Sequence, residues 1–168
     1  MADASSVAAV DHDRLSVQQG VRTAVAAALA YWLTGLLHLP DGYWAAISAI
    51  VVMQSEVGAT MTASRDRLAG TAMGAVVGWA TSLIWHHSIL AFAVSVLIVM
   101  VLCSALHYKN AGRLGGVTVA IIVLIPHSGP IWHLSLERFL EVSFGIVLSL
   151  GVVLAWEKTA RLIRSAKA

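Results

Sequence analysis

Charge is what this chain has least of. Asp, Glu, Lys and Arg make up 12% of its 168 residues, 58% are apolar and the mean hydropathy is +0.80, whereas ordinary globular chains are about 25% charged and roughly 45–50% apolar. A soluble domain of this length cannot hide that much apolar surface, so bilayer is the expected solvent. The net charge of +2 is small and dispersed, which excludes the concentrated basic patch a nucleic-acid binder needs. One cysteine, Cys103, excludes an internal disulfide. It lies in an apolar run and reads as a buried thiol. Residues 1–18 contain Asp3, Asp11, Asp13 and Arg14 without a basic start and apolar core, so no cleavable signal is expected. Nucleophile elbow, phosphate loop, zinc-protease helix and paired-cysteine motifs are all lacking. Neither an enzyme nor a cofactor is expected.

Apolar runs are abundant. Residues 21–38, 43–58, 68–85, 89–107, 115–128 and 138–156 each read as a membrane span, although a span needs about 20 residues to cross a ~30 Å core and the second and fifth are cut short by Gly58 and Pro126. Lys and Arg set the direction. With the N-terminus inside, Arg14, Arg22, Arg65, Arg67, Lys109, Arg113, Lys158, Arg161, Arg164 and Lys167 fall on the cytoplasmic side, and only Arg138 falls outside. That asymmetry predicts an all-α integral membrane protein of six transmembrane helices with both termini cytoplasmic. A leader (1–19) precedes a six-span domain (20–157), and a basic tail (158–168) follows. Tyr43, Trp44, Trp85, Trp132 and Trp156 fall near span ends, as interfacial aromatics do; Trp32 and Trp79 are less terminal and are expected to pack.

Shifting the chain by 71 residues aligns 44–78 with 115–149 without a gap and with eight identities: Ala49/Ala120, Ile50/Ile121, Val52/Val123, Gly58/Gly129, Ser64/Ser135, Arg67/Arg138, Gly74/Gly145 and Val76/Val147. Each copy holds three spans, an odd number, so the copies cross in opposite senses: an inverted 3+3 repeat, a recurring plan in transporters that puts the substrate site at the repeat interface. The stretches 54–67 and 125–138 either re-enter the membrane or are ordinary loops.

Within this frame Arg67 and Arg138 begin spans three and six, where a cation beside the positive end of a helix dipole attracts anions. Arg67 reads equally as a positive-inside anchor, and Arg138 as a local partner of Glu137 or Glu141. Glu56 and His127 occupy equivalent repeat positions and Glu141 lies inside span six. All three are candidates for proton coupling or gating, while wet interfacial loops are the alternative for Glu56 and His127. Gly70, Gly74 and Gly78 form one helix stripe, with Gly145 at the matching place in span six, and suit close helix packing within or between subunits. His38, His86, His87, His127 and His133 map outside, but their spacing fits no familiar metal site.

The runs Val21–Ala30, Leu39–Ser48, Val51–Thr60, Arg67–Gly74 and Trp132–Phe139, in this order, resemble the membrane domain of the fusaric acid resistance-like (FUSC) family. That superfamily includes bacterial aromatic acid exporters and is similar to plant aluminium-activated malate channels. The resemblance implies a bacterial inner-membrane transporter for efflux of organic anions such as aromatic carboxylates. Family exporters commonly have two such membrane halves and sizeable soluble regions, so a homo-oligomer is expected to supply the missing surface. A non-transporting scaffold or accessory subunit, assembled through the Gly70/Gly74/Gly78 stripe, is the alternative.

Overall fold

A helix forms wherever apolar residues of ordinary propensity run on without a breaker, and six such runs make up the chain. The computed structural model describes residues 4–39, 41–85, 88–108, 110–125 and 130–165. Its helices are α1 (Ala4–Leu36), α2 (Tyr43–Val52), α3 (Val57–Ile84), α4 (Ile89–Ala105), α5 (Ala111–Leu124) and α6 (Ile131–Ser165). No strand occurs among the described residues. Among them, α6 is long and apolar enough by itself to cross a membrane, while α2, α4 and α5 are apolar but have 10, 17 and 14 residues.

The helix ends depart from the expected span ends. α1 is helical from Ala4 and runs unbroken through residue 19, the expected end of the leader. The basic tail likewise continues α6 to Ser165. α2 stops at Val52, six residues before Gly58, where Met53 turns extended (φ −65°, ψ 119°). The link 53–56 folds around Thr60, whose hydroxyl accepts the Gln54 N–H at 3.1 Å and donates to the Glu56 carbonyl at 3.0 Å. α3 then starts at Val57, with Gly58 in its first turn. Most of 54–67 is therefore ordinary helix, since neither Arg65 nor Arg67 interrupts a backbone whose hydrogen bonds are internal.

α1 and α4 end alike. His38 and His107 are the described non-glycine residues with positive φ (54° and 63°). In each case the next N–H reaches five residues back, Leu39 to Thr34 and Tyr108 to Cys103, which is the left-handed closure that satisfies terminal carbonyls.

Packing groups the helices into two triplets, which a third core of Val52, Val142 and Ile146 with Ala63 of α3 joins. Ala26 and Ala30 of α1, Ala45 and Ala49 of α2 and Val153 of α6 share one core with Met53. Val99 and Cys103 of α4, Ala111, Val119 and Val123 of α5, and the partly buried Ala69, Met73 and Val77 of α3 share the other. The Cys103 thiol is buried and free, as expected. Each triplet takes its third member from the other half of the chain. Gly145 and Ser149 of α6 face Ala45 and Ala49 of α2, and Gly70, Gly74 and Gly78 of α3 face Ala111, Gly115 and Ile122 of α5, so α6 runs parallel to α2 and α3 parallel to α5. A Cβ on Gly74 or Gly145 would run into the carbonyl oxygen of Gly115 or Ala45. Small side chains therefore let the backbones touch, which is how helices gain van der Waals contact where lipid offers no hydrophobic drive. Because α5 of the same chain fills the α3 stripe, that stripe is not free to join subunits.

Large apolar residues face outward on every helix. Ile89 (82% exposed), Leu90 (72%) and Ile84 (71%) are the extremes. Such continuous exposure is rare in soluble monomers. Trp32, expected to pack, belongs to this outer surface at 60% exposure.

Candidate functional site

Two buried arginines define the polar interior. Arg138 lies seven residues into α6 and Arg67 ten residues into α3. Neither begins its helix. The N-terminus of α3 is ~15 Å from Arg67 at 1.5 Å per residue, and a terminal dipole fades within one turn. The expected help from the N-termini of α3 and α6 themselves is therefore missing at both arginines.

Arg138 is enclosed by carboxylates. One of its terminal nitrogens donates to Glu141 Oε2 at 2.8 Å, the other pairs with Asp41 Oδ2, and the Asp41 N–H donates to Glu141 Oε1 at 3.2 Å. The guanidinium stands 5.3 Å from the centre of the Trp44 ring. Pairing with Glu141 was legible from the i, i+3 spacing. Asp41, 97 residues away, was not, because only the α1–α2 turn brings it over. With both carboxylates ionised the cluster is net negative, so Arg138 is not the free cation expected from its lone place outside. Glu141 is almost fully buried (1% exposed) and is committed to this cluster.

Arg67 is the opposite case. It is 3% exposed, its described side-chain bond goes to the Ser48 hydroxyl at 3.4 Å, and its Nε is buried without a partner. The adjacent Asp66 turns elsewhere and accepts from Asn110 Nδ2 at 3.2 Å. One turn before Arg67, the buried Ser64 hydroxyl also lacks a partner. Among the described residues no carboxylate pairs with Arg67. A buried charge left unpaired costs several kcal/mol, and the combination of one guanidinium with nearby hydroxyls is a donor set for an anion. Ser48 and Ser64 were not singled out from the sequence. Ser64 is one of the repeat identities, and that was the available signal.

The remaining candidates lie apart. Glu56 is exposed in the link before α3, more than two helical turns from Arg67. His127 lies outside the described residues, as do His86 and His87. No group of three His, Cys, Asp or Glu that could hold a metal ion occurs among the described residues.

The described residues form a helical bundle with an apolar exterior and an interior that buries two arginines. Residues 25–152 match the family model described as fusaric acid resistance protein-like, and the chain belongs to that family. Among curated proteins it is similar to the "Uncharacterized transporter YdhK" of Escherichia coli (strain K12), 31% identical over 140 residues, covering 76% of this chain and 20% of the relative. The Salmonella typhimurium protein of the same name is also 31% identical, with the same coverage. The chain thus spans 20% of the length of the curated relatives it matches. No solved structure matches. The family is thus shown over most of the chain, and the names of these relatives describe them as transporters.

Proposed function

We propose that the chain is the membrane part of an organic-anion transporter, exporter or channel, which receives the anion at Arg67. The observation that carries this reading is the buried Arg67 guanidinium with no described carboxylate partner. A fixed cation with no counter-charge at membrane depth is best balanced by a passing anion. Ser48 and Ser64 would supply hydroxyl donors. Asp41, Arg138 and Glu141 would form a gate or proton relay, with Glu56 at the entrance.

The same reading takes the fold as an inverted 3+3 repeat with both termini cytoplasmic in a bacterial inner membrane. Three features support it. The 71-residue shift carries α2 onto 114–123, inside α5, and α3 onto 128–155, overlapping α6. α1 and α4 share a capping motif, and the third helices are exchanged between halves. Aromatic carboxylates are the cargo suggested by the family likeness, and a homo-oligomer would complete the path. The scaffold alternative loses its main surface to the α3–α5 contact.

Reconstituted vesicles loaded with labelled benzoate test the proposal. Wild type is expected to show saturable flux, and Arg67→Gln at least a tenfold lower rate, equivalent to about 1.4 kcal/mol of lost stabilisation. Equal rates would remove Arg67 from the path. No flux in wild type, for benzoate or other small carboxylates, would remove the class.

A further inference from the structure

A second arginine site lies on the flank of the bundle, away from Arg67. Between α1 and the last turns of α6 runs a groove of about 690 Å³. One end is wholly apolar, with Val25, Val152 and Ala155; the other carries Gln18, Thr159 and Arg164 beside Ala160 and Ile163. Arg22 and Trp156 sit between them. The Arg22 guanidinium lies 5.0 Å from the centre of the Trp156 ring and donates to the Ser55 carbonyl at 3.2 Å, while its Nε is buried and unpartnered. The nearest acid on α6, Glu157, is engaged by Arg161 at 3.1 Å. No described carboxylate pairs with Arg22 or Arg164.

We propose that this groove binds an anionic phospholipid, with the phosphate held by Arg22 and Arg164, the glycerol region against Trp156 and the start of an acyl chain along Val25 and Val152. The order of side chains carries the assignment. The groove changes from apolar to basic along its length, at the point where the apolar part of α6 gives way to Glu157, Lys158, Arg161 and Arg164. A bilayer changes from hydrocarbon to headgroup over the same distance. Indoles settle at that boundary, and basic pockets between helices there hold phosphate headgroups. A freely soluble anion would leave the apolar end unfilled. The proposal requires only that the chain sits in a bilayer, not that it moves anions.

The test uses the full chain in detergent, exposed to equal amounts of phosphatidylglycerol and phosphatidylcholine with matched acyl chains, with retained lipid counted by native mass spectrometry. Wild type is expected to retain phosphatidylglycerol roughly tenfold over phosphatidylcholine, two basic contacts being enough for that. Arg22→Gln/Arg164→Gln should fall to near parity. Arg164→Gln alone, at an exposed site with no described bond to lose, should fall part of the way and keeps the test open if the Arg22 change disturbs folding. Equal retention of both lipids by wild type, or an unchanged preference in Arg164→Gln, would overturn the site. So would displacement of the lipid by millimolar inorganic phosphate beyond the effect of chloride at the same ionic strength, since the groove would then hold a free anion. Retention is read without flux, so failure here and failure of the transport reading are separate results.

Discussion

A guanidinium taken out of water keeps its proton, so its charge has to be met by something nearby. At Arg138 the answer is built into the chain, through Asp41 and Glu141. Removing one partner of such a buried cluster costs far more than removing an exposed pair, because the groups left behind lose a charged hydrogen-bond partner where water cannot replace it. Glu141→Gln is therefore expected to lose about 3 kcal/mol of stability. Arg161→Gln, which breaks the Arg161–Glu157 pair on the α6 surface (80% and 36% exposed), should lose less than ~0.5 kcal/mol. Thermal unfolding of the two purified variants in the same detergent measures the difference, and a loss at Glu141 no larger than at Arg161 would mean the cluster is not a structural clamp. Arg67 has no comparable clamp to lose. Its replacement by Gln should leave stability unchanged or raise it, and that separates a residue kept for cargo from one kept for folding.

Helices meet in this bundle where side chains are small, and the spacing of glycines already pointed to such seams. The i, i+4, i+8 series Gly70, Gly74, Gly78 was legible as a close-approach surface. Its partner was not, because hydropathy says that a helix has a smooth face but not which neighbour lies on it. Helix ends were legible to the same limited degree. A charged residue such as Arg67 looks like the end of an apolar run, yet a helix backbone runs through arginine readily, so α3 begins at Val57, eleven residues before the expected span start at 68. The consequence for stability is specific to position. On α6, Gly145 stands against the Ala45 carbonyl of α2, while Gly151 has nothing within 4 Å of a built Cβ. Gly145→Ala is expected to force α2 and α6 apart and cost about 2 kcal/mol, within the range of overpacked cores. Gly151→Ala should gain about 0.5–1 kcal/mol from the stiffer helix. Parallel melting curves decide, and similar behaviour at both positions would mean that the α2–α6 seam yields easily.

The proposed whole-molecule arrangement rests on parity and charge together. The seams in which α6 runs with α2, and α3 with α5, require each of these pairs to cross the bilayer in the same sense. In the proposed topology six crossings return the chain to the side where it began. The one basic residue assigned outside, Arg138, is neutralised by Asp41 and Glu141, so the outer face of the proposed topology carries no unpaired described cation from Lys or Arg. This supports the positive-inside argument, because the exception to the charge rule carries its own counter-charges. Sequence supplied six helical runs and the charge asymmetry, but not this compensation, which depends on a contact across 97 residues. Single cysteines test the result directly, since the native Cys103 is buried and should stay silent to a membrane-impermeant maleimide. Trp85→Cys at the end of α3 is expected to label in intact cells. Ser55→Cys in the α2–α3 link and Lys158→Cys in α6 should label only after the membrane is opened. Labelling of Lys158→Cys in intact cells, with Ser55→Cys still protected, would require an odd number of crossings after residue 55 and would rule out the six-span inverted arrangement.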